Sequence, residues 1–290
     1  MLTTKLLFGS RIFQVFDSKI LLKLRTVTVD QVIFYSSSQK ILRSGLLLSG
    51  QKPISQEQLK VSLVVIFHDS KRIAYLVQAF ESIRTQNLPF SEVVFVDSSE
   101  GGIEIANLVI RFPDLALKHC KTQLQHPASK RNLGIKESDG DIICFLDDDN
   151  ILLPTHCRMI VEAFQSDPLC DLVFTSQFRF QNERIVSIPR MRRVDYKTLT
   201  SRNIADTSSM AIRKSSKLIP QWDSSVFHED WAFLIDTFTN GARIKSIFER
   251  TVLYRIHDNA RSKKDFKVLP PSDWLLKFRP NLLSQKRNIK

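Results

Sequence analysis

The stretch Gly140-Asp-Ile-Ile-Cys-Phe-Leu-Asp-Asp-Asp149 decides how this chain is read, because an apolar run ends there in three consecutive carboxylates. The unbroken run Ile142 to Leu146 is the pattern of a strand covered on both faces rather than of one half exposed to water. Upstream, Val61-Ser-Leu-Val-Val-Ile-Phe67 and Glu92-Val-Val-Phe-Val96 have the same character, and Leu115 to Cys120 reads as a further strand. Helical spacing fills the intervals. From Arg72 to Gln86, Ile73, Leu76, Val77, Phe80 and Ile83 share one side before Asn87-Leu-Pro89 ends the segment. Ile103 to Phe112 and Ser129 to Glu137 follow as helices, and Leu153 to Gln165 is a fourth, with Pro154 placed for its first turn. Strands alternating with helices predict an α/β domain built on a mostly parallel central sheet flanked by helices. Ligands of such sheets bind beyond the carboxyl ends of the strands, which singles out Asp69, Asp97 and the run Asp147 to Asp149.

Past Pro168 the alternation weakens. Leu172 to Phe180 and Ile244 to Tyr254 read as strands, and Asp230 to Asn240 as a helix that Gly241 terminates. With 290 residues, 43% of them apolar and 25% charged, the chain can bury a full core, and it contains no repeat or low-complexity tract. Its net charge of +12 is unevenly spread. Residues 1–60 carry nine Lys and Arg against three acids, residues 261–290 nine against two, and the middle is close to neutral. A duplex-binding protein places its basic stripe on the folded domain, so no nucleic-acid partner is expected. Basic ends on a neutral middle suit peripheral contact with an anionic membrane surface. No run approaches the ~18 apolar residues of a membrane span, and the start of the chain lacks a long hydrophobic region. The four cysteines, at 120, 144, 157 and 170, form no C-x-x-C pair and read as reduced thiols, so a cytoplasmic location is expected.

Alternation along a strand points Asp147 and Asp149 the same way and Asp148 oppositely. Two carboxylates on one side repel unless a cation lies between them, and Mg²⁺ or Mn²⁺, completed by substrate phosphates, meets that need. Asp97, closing the second strand, either accepts hydrogen bonds from a nucleoside or caps the next helix. Lys130 and Arg131 open a helix whose N-terminal amides suit a diphosphate. Asp230, in His228-Glu-Asp230, stands at a helix start, where the dipole favours an anion. His257 reads equally as a metal ligand or as a structural histidine.

Taken together, these segments resemble the inverting glycosyltransferases of family 2, of GT-A fold, over residues 61–258. The resemblance is carried by Val61 to Ile66, Glu92 to Asp97, Lys130-Arg-Asn-Leu-Gly-Ile135, Gly140 to Asp149, Glu229-Asp-Trp231 and Tyr254-Arg-Ile-His257. It implies a nucleotide-diphosphate sugar donor, most often a UDP-sugar, and a saccharide or lipid-linked acceptor, in polysaccharide or glycolipid synthesis. It implies donor contacts from Asp97, Lys130, Arg131, Asp147 and Asp148, a metal held by Asp149 with Asp147 and His257, Asp230 as catalytic base, and Glu229 and Trp231 on the acceptor side. Residues 61–150 become the nucleotide-sugar half and 151–260 the acceptor half, with 1–60 an extension and 261–290 a basic tail. The chain departs from the family at Phe67-His-Asp-Ser70 and at Ser98-Ser-Glu-Gly-Gly102, which bear on base recognition. A sugar nucleotidyltransferase would want a glycine-rich loop after the first strand, and Phe67-His-Asp-Ser70 has none. A degenerate transferase acting only as a binding module is the other alternative.

Overall fold

The computed structural model describes residues 59–100, 103–189, 194–257 and 271–279. The extension before residue 59 and most of the basic tail therefore lie outside the described residues. The first strand, β1 (Val61–Phe67), is buried along its whole length because it lies between two others, as its uninterrupted apolar run requires. On one side it pairs in parallel with β2 (Glu92–Asp97), which in turn pairs with β3 (Leu117–Lys121). On the other side it pairs in parallel with β4 (Ile142–Asp147). Side chains of β1 alternate between two cores. Leu63, Val65 and Phe67 face one, and Val64 and Ile66 face the other.

The first core is covered by α1 (Ile73–Arg84) and α2 (Ile103–Arg111), the second by α3 (Pro127–Glu137). Pro127 opens α3, where its missing N–H has no partner to lose. Two glycines permit close approach at β1. A Cβ on Gly134 of α3 would lie 2.3 Å from a methyl of Val64, and one on Gly140 would lie 2.5 Å from the Ser62 hydroxyl.

The β3-β2-β1-β4 half is parallel as expected, and beyond β4 antiparallel strands join the sheet. The short β5 (Ile151–Leu152) precedes α4 (His156–Ser166), and β6 (Leu172–Gln181) turns through Asn182 and Glu183, both at positive φ, into β7 (Arg184–Ser187). A short α5 (Tyr196–Leu199) is followed by β8 (Met210–Arg213), α6 (Glu229–Thr239), β9 (Ile244–Arg255) and α7 (Pro271–Phe278). The strand order is β3-β2-β1-β4-β8-β6-β9-β5, with β7 on β6. β8 inserts antiparallel between β4 and β6, whereas β6 and β9 run parallel. Pro154 lies ahead of α4, whose N-cap is Thr155, so the proline precedes the helix instead of forming its first turn. Gly241, at φ +80°, closes α6 as its sequence position predicts.

Within the stretch read as a basic tail, α7 packs Trp274 against Trp231 with ring centres 4.8 Å apart. No described helix is long and apolar enough to cross a membrane.

Candidate functional site

The carboxyl ends of β1 and β4, the start of α3, the start of α6 and the end of β9 enclose a cleft of about 720 Å³. Asp147, the last residue of β4, is met by Arg131 from the second turn of α3. One guanidinium nitrogen donates to Asp147 Oδ1 at 2.9 Å and another to Glu229 Oε1 at 3.0 Å. Arg131 is 4% exposed, lies over the Trp222 ring at 4.8 Å, and has its pKa raised further: burial opposes the charge, but the two carboxylates outweigh it. It thereby links the strand end to α6. Next to it, Lys130 is 1% exposed and donates to Phe67 O and Ser98 Oγ; burial pulls its pKa down to about 8 against the attraction of Asp148.

Strand alternation ends with β4 at Asp147, and this corrects the expected orientation of the three aspartates. Asp148 and Asp149 lie in the following turn and share one cation, Arg72, which contacts Asp148 Oδ1 at 2.8 Å and also Asp149 Oδ2. His257 Nε2 lies 2.8 Å from the same Asp149 oxygen. Burial raises the Asp149 pKa, but the bond from His257 and the charge of Arg72 prevail and leave it lowered. Asp148 goes the other way. Burial comes first, with Asp149 and Asp147 adding to it, and pushes its carboxyl up to about 8, while its Oδ2 has no hydrogen-bond partner. Arg255 braces the turn, donating to Asp149 O at 3.0 Å while held between the Tyr75 and Phe180 rings, each 4.4 Å away.

Across the cleft, α6 begins after His228, a non-glycine residue in the left-handed region at φ 61°. Such a conformation is costly and turns the chain sharply, so that Glu229 and Asp230 both face the cleft. Asp230 Oδ1 accepts from the Trp231 amide at 2.8 Å and Oδ2 from Asn203 Nδ2 at 2.6 Å. Burial, then the charge of Glu229, pushes its carboxyl up to about 6. Asp206 lines the same wall, and burial with the charges of Asp147 and Asp230 holds its carboxyl well above the usual range.

The fold therefore brings Lys130, Arg131, Asp147, Asp148, Asp149, Glu229, Asp230 and His257 to one cleft. Two expected residues stand apart. Asp97 is 0% exposed and is not among the residues lining the cleft. Its oxygens accept from Ser99 N, Ser99 Oγ and Lys121 Nζ and lie 3.2 Å from His119; burial would raise its pKa, but these bonds leave it lowered. Trp231 is 0% exposed and donates from its indole to Leu199 O, so it belongs to the core beneath the site and not to an acceptor surface. Arg72, Asn203 and Asp206 were not foreseen, since each acts through contacts remote in sequence.

Among the described residues, no group of three or more His, Cys, Asp or Glu stands ready to hold a metal ion. The Asp149 and His257 pair nevertheless fits a hard divalent cation that takes its other ligands from phosphate oxygens and water. The charge balance agrees. Seven carboxyl groups line the cleft against four Lys and Arg, and the raised pKa values of Asp148 and Asp206 leave the other five carboxylates still in excess of those cations.

The family described as Glycosyl transferase family 2 matches residues 62–227. An uncharacterized glycosyltransferase of Haemophilus influenzae is 25% identical over 190 residues, covering 61% of this chain and 70% of the relative. The uncharacterized glycosyltransferase YwdF of Bacillus subtilis is 25% identical over 210 residues, covering 69% and 75%. Among solved structures, residues 1–349 of S. aureus TarS in complex with UDP-GlcNAc have a TM-score of 0.58 at 17% identity, covering 80% of this chain and 77% of that one. The mannosyltransferase PcManGT of Pyrobaculum calidifontis, in complex with GDP-Man and Mn²⁺, has a TM-score of 0.60 at 17% identity, covering 88% and 77%. At these identities the solved structures establish the shared fold.

Proposed function

The chain belongs to glycosyl transferase family 2, a family of nucleotide-sugar-dependent glycosyltransferases, and from that premise we propose an inverting transfer assisted by a divalent metal, with Asp230 as general base. The observation that carries this reading is that Asp149, with His257 against it, and Asp230 open into one cleft. Asp149 and His257 would hold Mg²⁺ or Mn²⁺, with Asp147 beside them. The ion, when bound, supplies Lewis-acid stabilisation of the charge that grows on the leaving diphosphate.

Everything else falls to the protein's own groups. Arg131 and Lys130, at the start of α3, face the phosphates, and the α3 amides add their dipole. Asp230 takes the proton of the acceptor hydroxyl as that oxygen forms its bond to the anomeric carbon. The bond from that carbon to the phosphate oxygen breaks on the opposite face, and the electron pair leaves with the nucleoside diphosphate. A carboxyl whose pKa lies near 6 is ionised at neutral pH yet more basic than an exposed one, which suits this task. Displacement in one step inverts the anomeric centre. The relatives of known structure were solved with UDP-GlcNAc and with GDP-Man and Mn²⁺, and a UDP-sugar is the donor we assign here. The acceptor is assigned as a saccharide or lipid-linked hydroxyl, with residues 61–150 on the donor side and 151–260 on the acceptor side. Basic residues of 1–60 and 261–290 provide contact with an anionic membrane surface, and failure to pellet with anionic vesicles at low salt would remove that part of the assignment.

The test is a pair of substitutions. Asp230→Asn should abolish transfer while donor affinity stays near wild type, and Asp149→Ala should lower metal-dependent donor affinity as well. Equal loss of donor affinity in both variants contradicts this division. Slow hydrolysis of UDP-glucose or UDP-galactose that stops in EDTA supports the enzyme, and metal-independent donor binding without turnover supports a binding module instead.

A further inference from the structure

The loop between α5 and β8 is attached at both of its ends to residues of the cleft. At one end Asn203 Nδ2 donates to Asp230 Oδ2 at 2.6 Å. At the other, Ser208 Oγ accepts from the backbone N–H of Asp147 at 3.1 Å and from Asn150 Nδ2 at 2.8 Å. Between them the loop stiffens itself. Asn203 Oδ1 accepts from Ala205 N, Asp206 Oδ1 accepts from Ser208 N at 3.0 Å, and Ser209 N donates to Asp206 O at 2.9 Å. Ser208 is fully buried, so its bonds to the end of β4 and to Asn150 in the turn beyond it are sheltered from water. One short segment thus spans from the end of the donor strand to the carboxylate at the start of α6.

We propose that Asn203 is a positioning residue for Asp230, and that residues 203–208 act as a spacer fixing Asp230 relative to the Asp147 end of β4. This rests on the reading of Asp230 as the base. A carboxylate at a helix start rotates about its last torsion unless both oxygens are engaged. The Trp231 amide holds Oδ1, and Asn203 supplies the second constraint on Oδ2. The lone pair of Oδ2 that remains is then directed at one place in the cleft, which is the condition for accepting a proton in line with attack. Besides the Trp231 amide, Asn203 is the uncharged donor in a wall whose titratable side chains acting on Asp230 are ionic: Glu229 on its own helix, Arg131 from α3, Asp147 from β4 and Asp206 from the loop itself. An amide orients the base without neutralising it, whereas a lysine or arginine at 203 would depress its basicity.

The experiment measures nucleoside diphosphate release from UDP-glucose or UDP-galactose, whichever the wild type turns over, with water as acceptor, across the acid limb of the pH profile. The variants are Asn203→Ala and Asn203→Asp, with Asp230→Asn as control. Asn203→Ala should lower kcat roughly 10- to 100-fold with the donor KM unchanged. Because the lost bond favoured the ionised carboxylate, the acid limb of kcat should also move to higher pH. Asn203→Asp keeps the side-chain shape and the bond accepted from Ala205 N, so it reports even where the alanine variant loses the loop, and the added charge should move the limb further. Wild-type kcat and an unmoved limb in Asn203→Asp overturn the proposal, as does a rise in donor KM with kcat intact. If Asp230→Asn itself turns over the donor at the wild-type rate, the base assignment fails. If Asp230→Asn is inactive and both Asn203 variants behave as wild type, the positioning role alone fails.

Discussion

Replacing Arg131 by Met removes the cation that joins the two halves of the cleft, and its cost can be worked from the contacts. The guanidinium is 4% exposed and forks to Asp147 at 2.9 Å and Glu229 at 3.0 Å, with Trp222 4.8 Å beneath it. Methionine fills most of the volume, so the loss is chiefly electrostatic. It leaves the two carboxylates without the cation they share and without full hydration. Breaking a buried pair costs ~3–5 kcal/mol. The Asp147 side chain is 27% exposed and can recover some hydration, whereas that of Glu229 is only 10% exposed, which places the change at about 3–4 kcal/mol. For a domain of this size that is a fall in Tm of roughly 6–16 °C. Arg131→Lys keeps the charge but cannot fork to both oxygens, so it should lose about 1–2 kcal/mol. Thermal and urea unfolding at neutral pH measure both. Adding Glu229→Gln to the Met variant should recover part of the stability, since one of the stranded charges is then gone. An Arg131→Met variant within about 0.5 kcal/mol of wild type would refute the account, because it would mean that the two carboxylates find water or protons at no cost.

Gly134→Ala should destabilise by about 1–2 kcal/mol despite its better helix propensity, because the new Cβ would lie 2.3 Å from a Val64 methyl; Val64→Ala in the same chain should restore most of the loss in a urea titration. The wild-type kcat profile should show an acid limb near pH 6, with activity lost as pH falls through it, since a protonated Asp230 cannot accept the acceptor's proton; a limb at the usual carboxylate pH would remove Asp230 from that role. Asp206→Asn should raise Tm at neutral pH and leave it unchanged in acid. The sign follows because Asp206 has its pKa raised in the fold: its cost is absent below the unfolded value, grows as pH rises through the raised one, and disappears in the amide.

What the sequence disclosed and what it withheld divide along a physical line. β1, β2 and β4 were legible because strands buried on both faces must be apolar at successive positions, and that composition cannot be disguised. β5, β7 and β8 are two to four residues long, too short for any period to register, and β8 is what turns a parallel sheet into a mixed one. At the site, the aspartate run, the Glu229-Asp230 pair and His257 stood out as motifs, and the fold gathers them. Their partners did not stand out. Arg72 reaches Asp149 across 77 positions, and Asn203 reaches Asp230 across 27, so nothing local marks either as more than a loop residue. Trp231 misled through proximity: adjacent to Asp230 in sequence, it points one helical step away into the core.

The carboxylates of one cleft come to differ in role through their distance from fixed cations. Asp149 is touched by Arg72 and by His257, and these hold it ionised below the ordinary range despite burial, which suits the metal-binding role proposed for it. Asp230 is surrounded by comparable burial but has no such contact, because the nearby Arg131 is committed to Asp147 and Glu229. Its hydrogen bonds come from an amide N–H and a carboxamide, which orient it without cancelling its charge, and Glu229 raises it further. Two aspartates with the same intrinsic chemistry are thereby pushed in opposite directions, one toward binding a cation and the other toward binding a proton.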